Sequence, residues 1–219
     1  MPRRALTTTA AAITATAALM LTACGGSSNT PTDDTKASVS ESASPSASAS
    51  ASNSTASSDV KRPVITLPSN FQLTFENWTS SDPDKQAVLN DAKEEVRVGY
   101  AAIIANDPDS KDIAFYDTEG MVGMTKEWIK TYTDKNLTVF GKLPAFDPKV
   151  NLAKNGMGAS LSYCTDESKA YTRNRKTSEV EGNPAGTDPE VLYAVSLAKN
   201  AQGVWQNTNV HSQRGGCSR

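Results

Sequence analysis

Asn155-Gly156-Met157-Gly158-Ala159-Ser160-Leu161-Ser162-Tyr163-Cys164 reads as a turn followed by a strand, and it decides the fold class. Asn-Gly favours a tight turn with positive φ angles, so Asn155-Gly156 predicts a hairpin. Beyond it Ala159, Leu161 and Tyr163 alternate with Ser160, Ser162 and Cys164, the period of a half-buried strand. Upstream, Leu137-Thr138-Val139-Phe140 and residues 149–153 are β-prone. Downstream, Thr165-Asp166-Glu167-Ser168 turns the chain into a further segment at 169–173, and residues 177–189 form a polar loop. Val191, Tyr193, Val195 and Leu197 then alternate against Leu192, Ala194 and Ser196, the clearest strand in the chain. A turn at 200–203 leads into a last strand from 204 to about 213.

The region before residue 136 has the other period. Ser81-Asp82-Pro83-Asp84 offers a side-chain oxygen for orphan N–H groups, a proline in the first turn and acid near the positive end of the dipole. It predicts a helix running to about Ala105. Leu89, Ala92, Val96, Tyr100 and Ile103 form its apolar stripe, with Asp91, Lys93, Glu94 and Arg97 on the other face. Asn106-Asp107-Pro108 stops it. A helical turn at 110–116 and a second long helix at 118–134 follow. The second stripe is Met121, Met124, Trp128 and Tyr132, expected to pack in the core, with a ligand-pocket lining as the alternative. Gly120 and Gly123 weaken its start. Ahead of the helices, Phe71, Leu73 and Phe75 alternate with polar residues, and Val64 to Pro68 is short and extended. Helices first and strands afterwards predict an α+β domain, a twisted antiparallel sheet covering both apolar stripes.

Only part of the 219 residues can belong to that domain. Met1-Pro2-Arg3-Arg4 and an Ala/Thr/Leu-rich run to Leu21 make an export signal over residues 1–23. The next stretch, to residue 60, contains only Val39 and Val60 as strongly apolar side chains. Burial cannot offset chain entropy there, so the sequence predicts a disordered Ser/Ala-rich tether with a reach of about 30–35 Å. Residues 61–219 remain for one folded domain. Arg3 and Arg4 leave with the signal, so 20 of the 22 cations stand against 24 anions, a formal charge of −4. That balance offers no footprint for nucleic acid.

Leu21-Thr22-Ala23-Cys24 resembles the lipobox of bacterial lipoproteins, in which the Cys becomes the lipid-bearing first residue of the mature chain. The resemblance implies a diacylglycerol or acyl lipid on Cys24, a membrane-lipid partner and residence on the extracytoplasmic face of the cell membrane. The alternative for Cys24 is a buried or reactive thiol near an uncleaved anchor. The apolar stretch is interrupted by Thr and falls short of the ~20 residues of a spanning helix. With Cys24 lipidated, Cys164 and Cys217 are left to pair in a compartment where disulfides persist.

The order of elements resembles the NTF2-like fold, a cone of curved antiparallel sheet wrapped on N-terminal helices. Details resemble small lipoproteins of high-GC Gram-positive bacteria that carry such a domain. The supporting residues are Leu67-Pro68 before a Phe-containing segment, Ile103-Ile104 at the end of the long helix, and Gly141 after a β-prone run. Tyr163-Cys164-Thr165-Asp166, Gly203-Val204-Trp205 and the late Cys217 complete the set. This fold hosts isomerases, dehydratases, binding modules and inert partners, so the resemblance implies a fold and leaves activity open.

Chemical motifs are sparse. His211, on the presumed last strand, could act as a base inside the cone, although a solvent-facing or structural role is the simpler expectation. Asp166 could be an acid or base at the cone mouth, and its simpler role is a turn residue accepting backbone N–H bonds. One His and two paired Cys make no zinc site, so no metal or cofactor is expected beyond the lipid. The sequence holds no Gly-x-Ser-x-Gly elbow and no phosphate loop. Tyr171-Thr172-Arg173-Asn174-Arg175-Lys176 is the densest cationic stretch, either a solvated face or a contact for anionic polymers. Two functions follow as expectations. The first is a tethered, non-catalytic module binding a small apolar ligand or an extracytoplasmic protein. A ligand binder should show a pocket lined by Met121, Met124, Trp128 or Tyr193. The second is a cone-type isomerase or dehydratase using His211 or Asp166.

Overall fold

The computed structural model describes residues 60–217. The expected signal peptide, Cys24 and all but the last residue of the tether lie outside the described residues. The elements are β1 (Phe71–Phe75), α1 (Pro83–Ala105), α2 (Ile113–Tyr116), α3 (Glu119–Thr133), β2 (Leu137–Leu152), β3 (Gly158–Asp166), β4 (Lys169–Asn174), β5 (Val180–Glu181), β6 (Glu190–Lys199) and β7 (Trp205–Arg214). The sheet runs β5-β4-β2-β3-β6-β7, antiparallel throughout, with β1 added parallel to β2. It is the helix-filled cone that the resemblance implies.

The helices begin and end where their caps dictate. Asp82 accepts hydrogen bonds from the N–H groups of Asp84 and Lys85 at 2.9 and 3.2 Å, with Pro83 as the first helical residue. Asn106 closes α1 in the left-handed region, φ 58°, its N–H donating to Ala102 and Ile103 carbonyls. Asn155-Gly156 forms the predicted hairpin turn between β2 and β3, but only Gly156 takes a positive φ.

Two β-prone segments expected at 137–140 and 149–153 are one strand of 16 residues. Its first part pairs with β4 and its second with β3, so β2 changes partner as it bends. The bend has two causes. Gly141 sits at φ 98°, where an added Cβ would meet the Lys169 carbonyl oxygen at 2.2 Å, so no side chain fits. Asp147, φ 53°, marks a register shift between Phe146 and Lys149, a bulge that tightens the twist. Sequence periodicity shows neither, because Pro144 and Pro148 interrupt the β pattern where the strand continues.

The core lies between α1 and the inner face of the sheet. Trp78 is fully enclosed, donating its indole N–H to the Ala145 carbonyl at 3.2 Å and meeting Phe75 and Tyr163 edge-on. One expectation for α1 fails: Asp91 is not on the solvent face but 2% exposed. Its carboxylate binds Arg62, on the segment before β1, and accepts the Trp205 N–H at 2.9 Å. The acid thus ties the domain's first residues, α1 and the start of β7 together. Cys164 and Cys217 form a disulfide, their Cα atoms 6.1 Å apart. It holds the tail against the outer face of the sheet, where a Cβ on Gly216 would come within 3.0 Å of the Leu192 Cβ.

Candidate ligand cavity and its buried acid pair

α1, α3 and the strands β3, β6 and β7 line a cavity of about 250 Å³ on the inner side of the cone, open to solvent beside Met124 and Trp128. Strand alternation sets which side chains face it. Tyr163 and Thr165 from β3, Tyr193 and Val195 from β6, and Val210 and Ser212 from β7 point inward. Tyr163 and Tyr193 are direct cross-strand partners, and their rings stack with centroids 5.1 Å apart. The opposite wall is helical. Gly99 of α1 makes room for the Trp128 ring, since a Cβ there would lie 2.7 Å from Trp128 Cζ3. Trp128 meets Tyr100 edge-on at 5.6 Å.

The stripe of α3 is rotated from the expected one. The buried residues are Met121, Thr125 and Ile129, while Met124 and Trp128 are 55% and 37% exposed. Met124 and Trp128 border the cavity instead of filling the core. Thr125 turns inward because its hydroxyl has a buried partner: it donates to Asp117 Oδ2 at 2.5 Å.

Asp117 and Glu95 are the electrostatic centre of the site. Asp117 follows α2 and is clamped to β7. The Thr118 N–H and hydroxyl both donate to the Asn207 carbonyl, at 3.0 and 2.9 Å, and the Gln206 amide donates to the Asp117 carbonyl at 3.2 Å. This pins Asp117, 2% exposed, under Glu95 of α1, whose accessible part faces the cavity. Burial and then repulsion by Asp117 push the Glu95 carboxyl up to about 8, against a smaller downward pull from the Asn207 amide. Burial also raises Asp117, to about 6, partly offset by the Thr125 hydroxyl. The pair titrates as a unit, so at neutral pH it carries about one negative charge. Asp117 Oδ1 and both polar atoms of the Asn207 side chain make no hydrogen bond of normal geometry, although Asn207 lies close enough to act on Glu95.

The candidate residues of the sequence lie elsewhere. His211 is exposed, and because Val210 and Ser212 face inward, it points to the outer side of the sheet. Asp166 accepts the Ser168 N–H at 2.8 Å in the β3–β4 turn and borders a groove on the outer face beside Thr74 and Lys142. In the cationic stretch, Arg175 donates to the carbonyls of Ile103 and Ile104, capping α1, and Arg173 lies 4.3 Å above the Phe140 ring. Cys24 is outside the described residues. Glu95 and Asp117 were not singled out from the sequence. Glu95 had a signal there: it sits three residues after Ala92 and seven after Val88, at the flank of the apolar stripe of α1. Asp117 had none, because only the clamp to β7 places it.

No protein-family model and no curated protein matches the sequence. Solved structures do resemble it. The intermembrane space region of the chloroplast protein ARC6 is 8% identical, with 59% of this chain and 96% of that one aligned at TM-score 0.42. ActVI-ORFA from Streptomyces coelicolor is 10% identical, with 60% and 98% aligned at 0.41. A protein from Catenulispora acidiphila in complex with S-DNPA is 7% identical, with 58% and 93% aligned at 0.42. At such identities and scores these likenesses say nothing of activity.

Proposed function

We propose that this chain is a lipoprotein, held by acyl lipid on Cys24 at the outer face of the cell membrane, whose cone binds a small, mostly apolar molecule. The observation that carries the binding role is the cavity. Met121, Met124, Trp128 and Tyr193 line it together, and a few polar groups lie among them, the usual composition of a small-molecule site. Its volume of about 250 Å³ suits a ligand smaller than a typical drug. The cone interior is not filled, which leaves room for a small ligand. The lipobox supports the anchor, and the tether would let the domain sample tens of ångströms from the membrane.

Native mass spectrometry of the chain purified from membranes tests the ligand. A copurifying small molecule, lost when Ser212→Trp blocks the cavity, is the expected result. No bound mass, together with Trp128 fluorescence unmoved by apolar aromatic probes, would overturn it. For the anchor, mass spectrometry of the mature N-terminus should find acylated Cys24; an intact precursor or a free Cys24 thiol refutes it.

A second use of the same cavity is general acid–base catalysis, which one observation favours: Glu95 holds its proton near neutral pH beside an apolar space. An isomerase built on His211 or Asp166 has neither residue at the cavity. Turnover of a carbonyl compound by the native chain, absent in Glu95→Gln, would support this second use.

A further inference from the structure

The chemical class of the ligand can be narrowed from the walls of the cavity, on the reading that the cavity is a ligand site. Four aromatic rings line it: Tyr100, Trp128, Tyr163 and Tyr193. Glu95 is the charged residue among the lining, and no Lys, Arg or His joins it among the described residues. Asp117 lies behind Glu95 with one carboxylate oxygen unpaired. The nearest buried acid, Asp91, already has a cation in Arg62. The Glu95–Asp117 pair has none, and a buried charge without a partner is costly. Aromatic faces attract cations, Trp most strongly, and more so where water is excluded. An anionic ligand would find no cation in this lining and would face the negative charge of the Glu95–Asp117 pair.

We propose that the cavity takes a small organic ammonium, whose cationic head sits among these rings against the Glu95 carboxylate. The ligand supplies the charge that the fold leaves out. Binding then carries a proton balance. In the free chain Glu95 keeps its proton up to about pH 8. A bound cation favours the carboxylate, so Glu95 loses that proton to solvent as the complex forms. The groups facing Glu95 are Asp117 from the α2–α3 junction, Thr125 of α3, Tyr163 of β3 and Asn207 of β7, and none is basic. Affinity therefore rises with pH up to the Glu95 pKa and levels off above it. The slope approaches about tenfold per pH unit for one proton released.

Phenyltrimethylammonium and its uncharged isostere tert-butylbenzene test this with the full chain, by Trp fluorescence and by calorimetry in buffers of different ionisation heat. The ammonium has no proton of its own, so any pH dependence belongs to the protein. The expected result at pH 8 is a preference for the ammonium of about tenfold or more, comparable to one or two kcal/mol of cation–π and ionic attraction. Its affinity should climb between pH 6 and pH 8 with proton release, and Glu95→Gln should abolish both the preference for the ammonium and its pH dependence. Equal affinity for the two probes, or ammonium affinity that falls as pH rises, overturns the cation while leaving the cavity as a ligand site. If neither probe binds, the ligand-binding function itself fails and this inference with it.

Discussion

Raising the pH from 6 to 8 favours the unfolded chain, which has released the Glu95 proton, over a fold built to keep it. The folded carboxyl holds its proton to about pH 8, against 4.5 for a free glutamate side chain. Between those values the native state carries a proton that the unfolded chain has released. Stability therefore falls as pH rises across this window, by at most about 1.4 kcal/mol per pH unit for one proton. From pH 6 to pH 8 the loss from Glu95 integrates to about 2 kcal/mol, since the slope fades as the folded group itself titrates. Asp117 acts with the same sign at lower pH, between its ordinary value and about 6. For a domain of this size 2 kcal/mol lowers Tm by roughly 5 °C. Glu95→Gln removes the ionisable proton and keeps the shape. Thermal melts of both proteins at pH 6, 7 and 8 should show the variant gaining on the native chain by about 2 kcal/mol across the range. The difference between the two proteins cancels titrations elsewhere, including exposed carboxylates. Parallel Tm curves would refute the burial argument for Glu95, and a Glu95→Gln chain that lost ground as pH rose would reverse its sign.

Other perturbations report on other parts of the fold. Gly99→Ala places a Cβ against Trp128, so the ring should swing outward, with a red-shifted emission and several-fold weaker probe binding. The change is readable because Trp78 and Trp205 are both enclosed, and helix propensity gains about 1 kcal/mol that offsets part of the strain. Cys217→Ser opens a loop spanning 53 residues and should cost about 4 kcal/mol in the chain-entropy model, measured by urea unfolding against the oxidised protein. A midpoint unchanged by the substitution would mean that the tail is held by packing alone. Arg62→Ala leaves buried Asp91 without its cation. Arg62 is 43% exposed, so the expected cost is about 2 kcal/mol, below the range for a fully buried pair. That cost should shrink in acid, where Asp91, already raised by burial, takes up a proton.

The elements of the fold were largely legible in the residues. Asp82-Pro83 and Asn106 bracket α1 because a cap is a local device, set by one side chain and its near neighbours. The hairpin at Asn155-Gly156 and the alternation of β6 are local for the same reason. The cysteine pair followed from counting once Cys24 was set aside. Orientation within the elements was less legible. A stripe of large apolar residues pointed to Met124 and Trp128 as the buried side of α3, yet Thr125 is buried because Asp117 stands opposite to receive its hydroxyl. Asp91 looked solvent-facing because charge usually is, and only its contact with Arg62 and Trp205 reverses that.

Local signals in the residues place the helices, the hairpin turn and the order of the elements, though not the unbroken course of β2, and the N-terminal pattern carries the expectation of where the chain resides. Where the chemistry lies depends on how the elements pack against one another. Glu95 and Asp117 are 22 residues apart, on α1 and at the α2–α3 junction, and Asn207 reaches them from β7. Their proximity depends on how β7 clamps Asp117, a packing choice made between elements rather than within them. A carboxyl group's charge is set by its surroundings, and for Glu95 those surroundings exist only once the cone has closed.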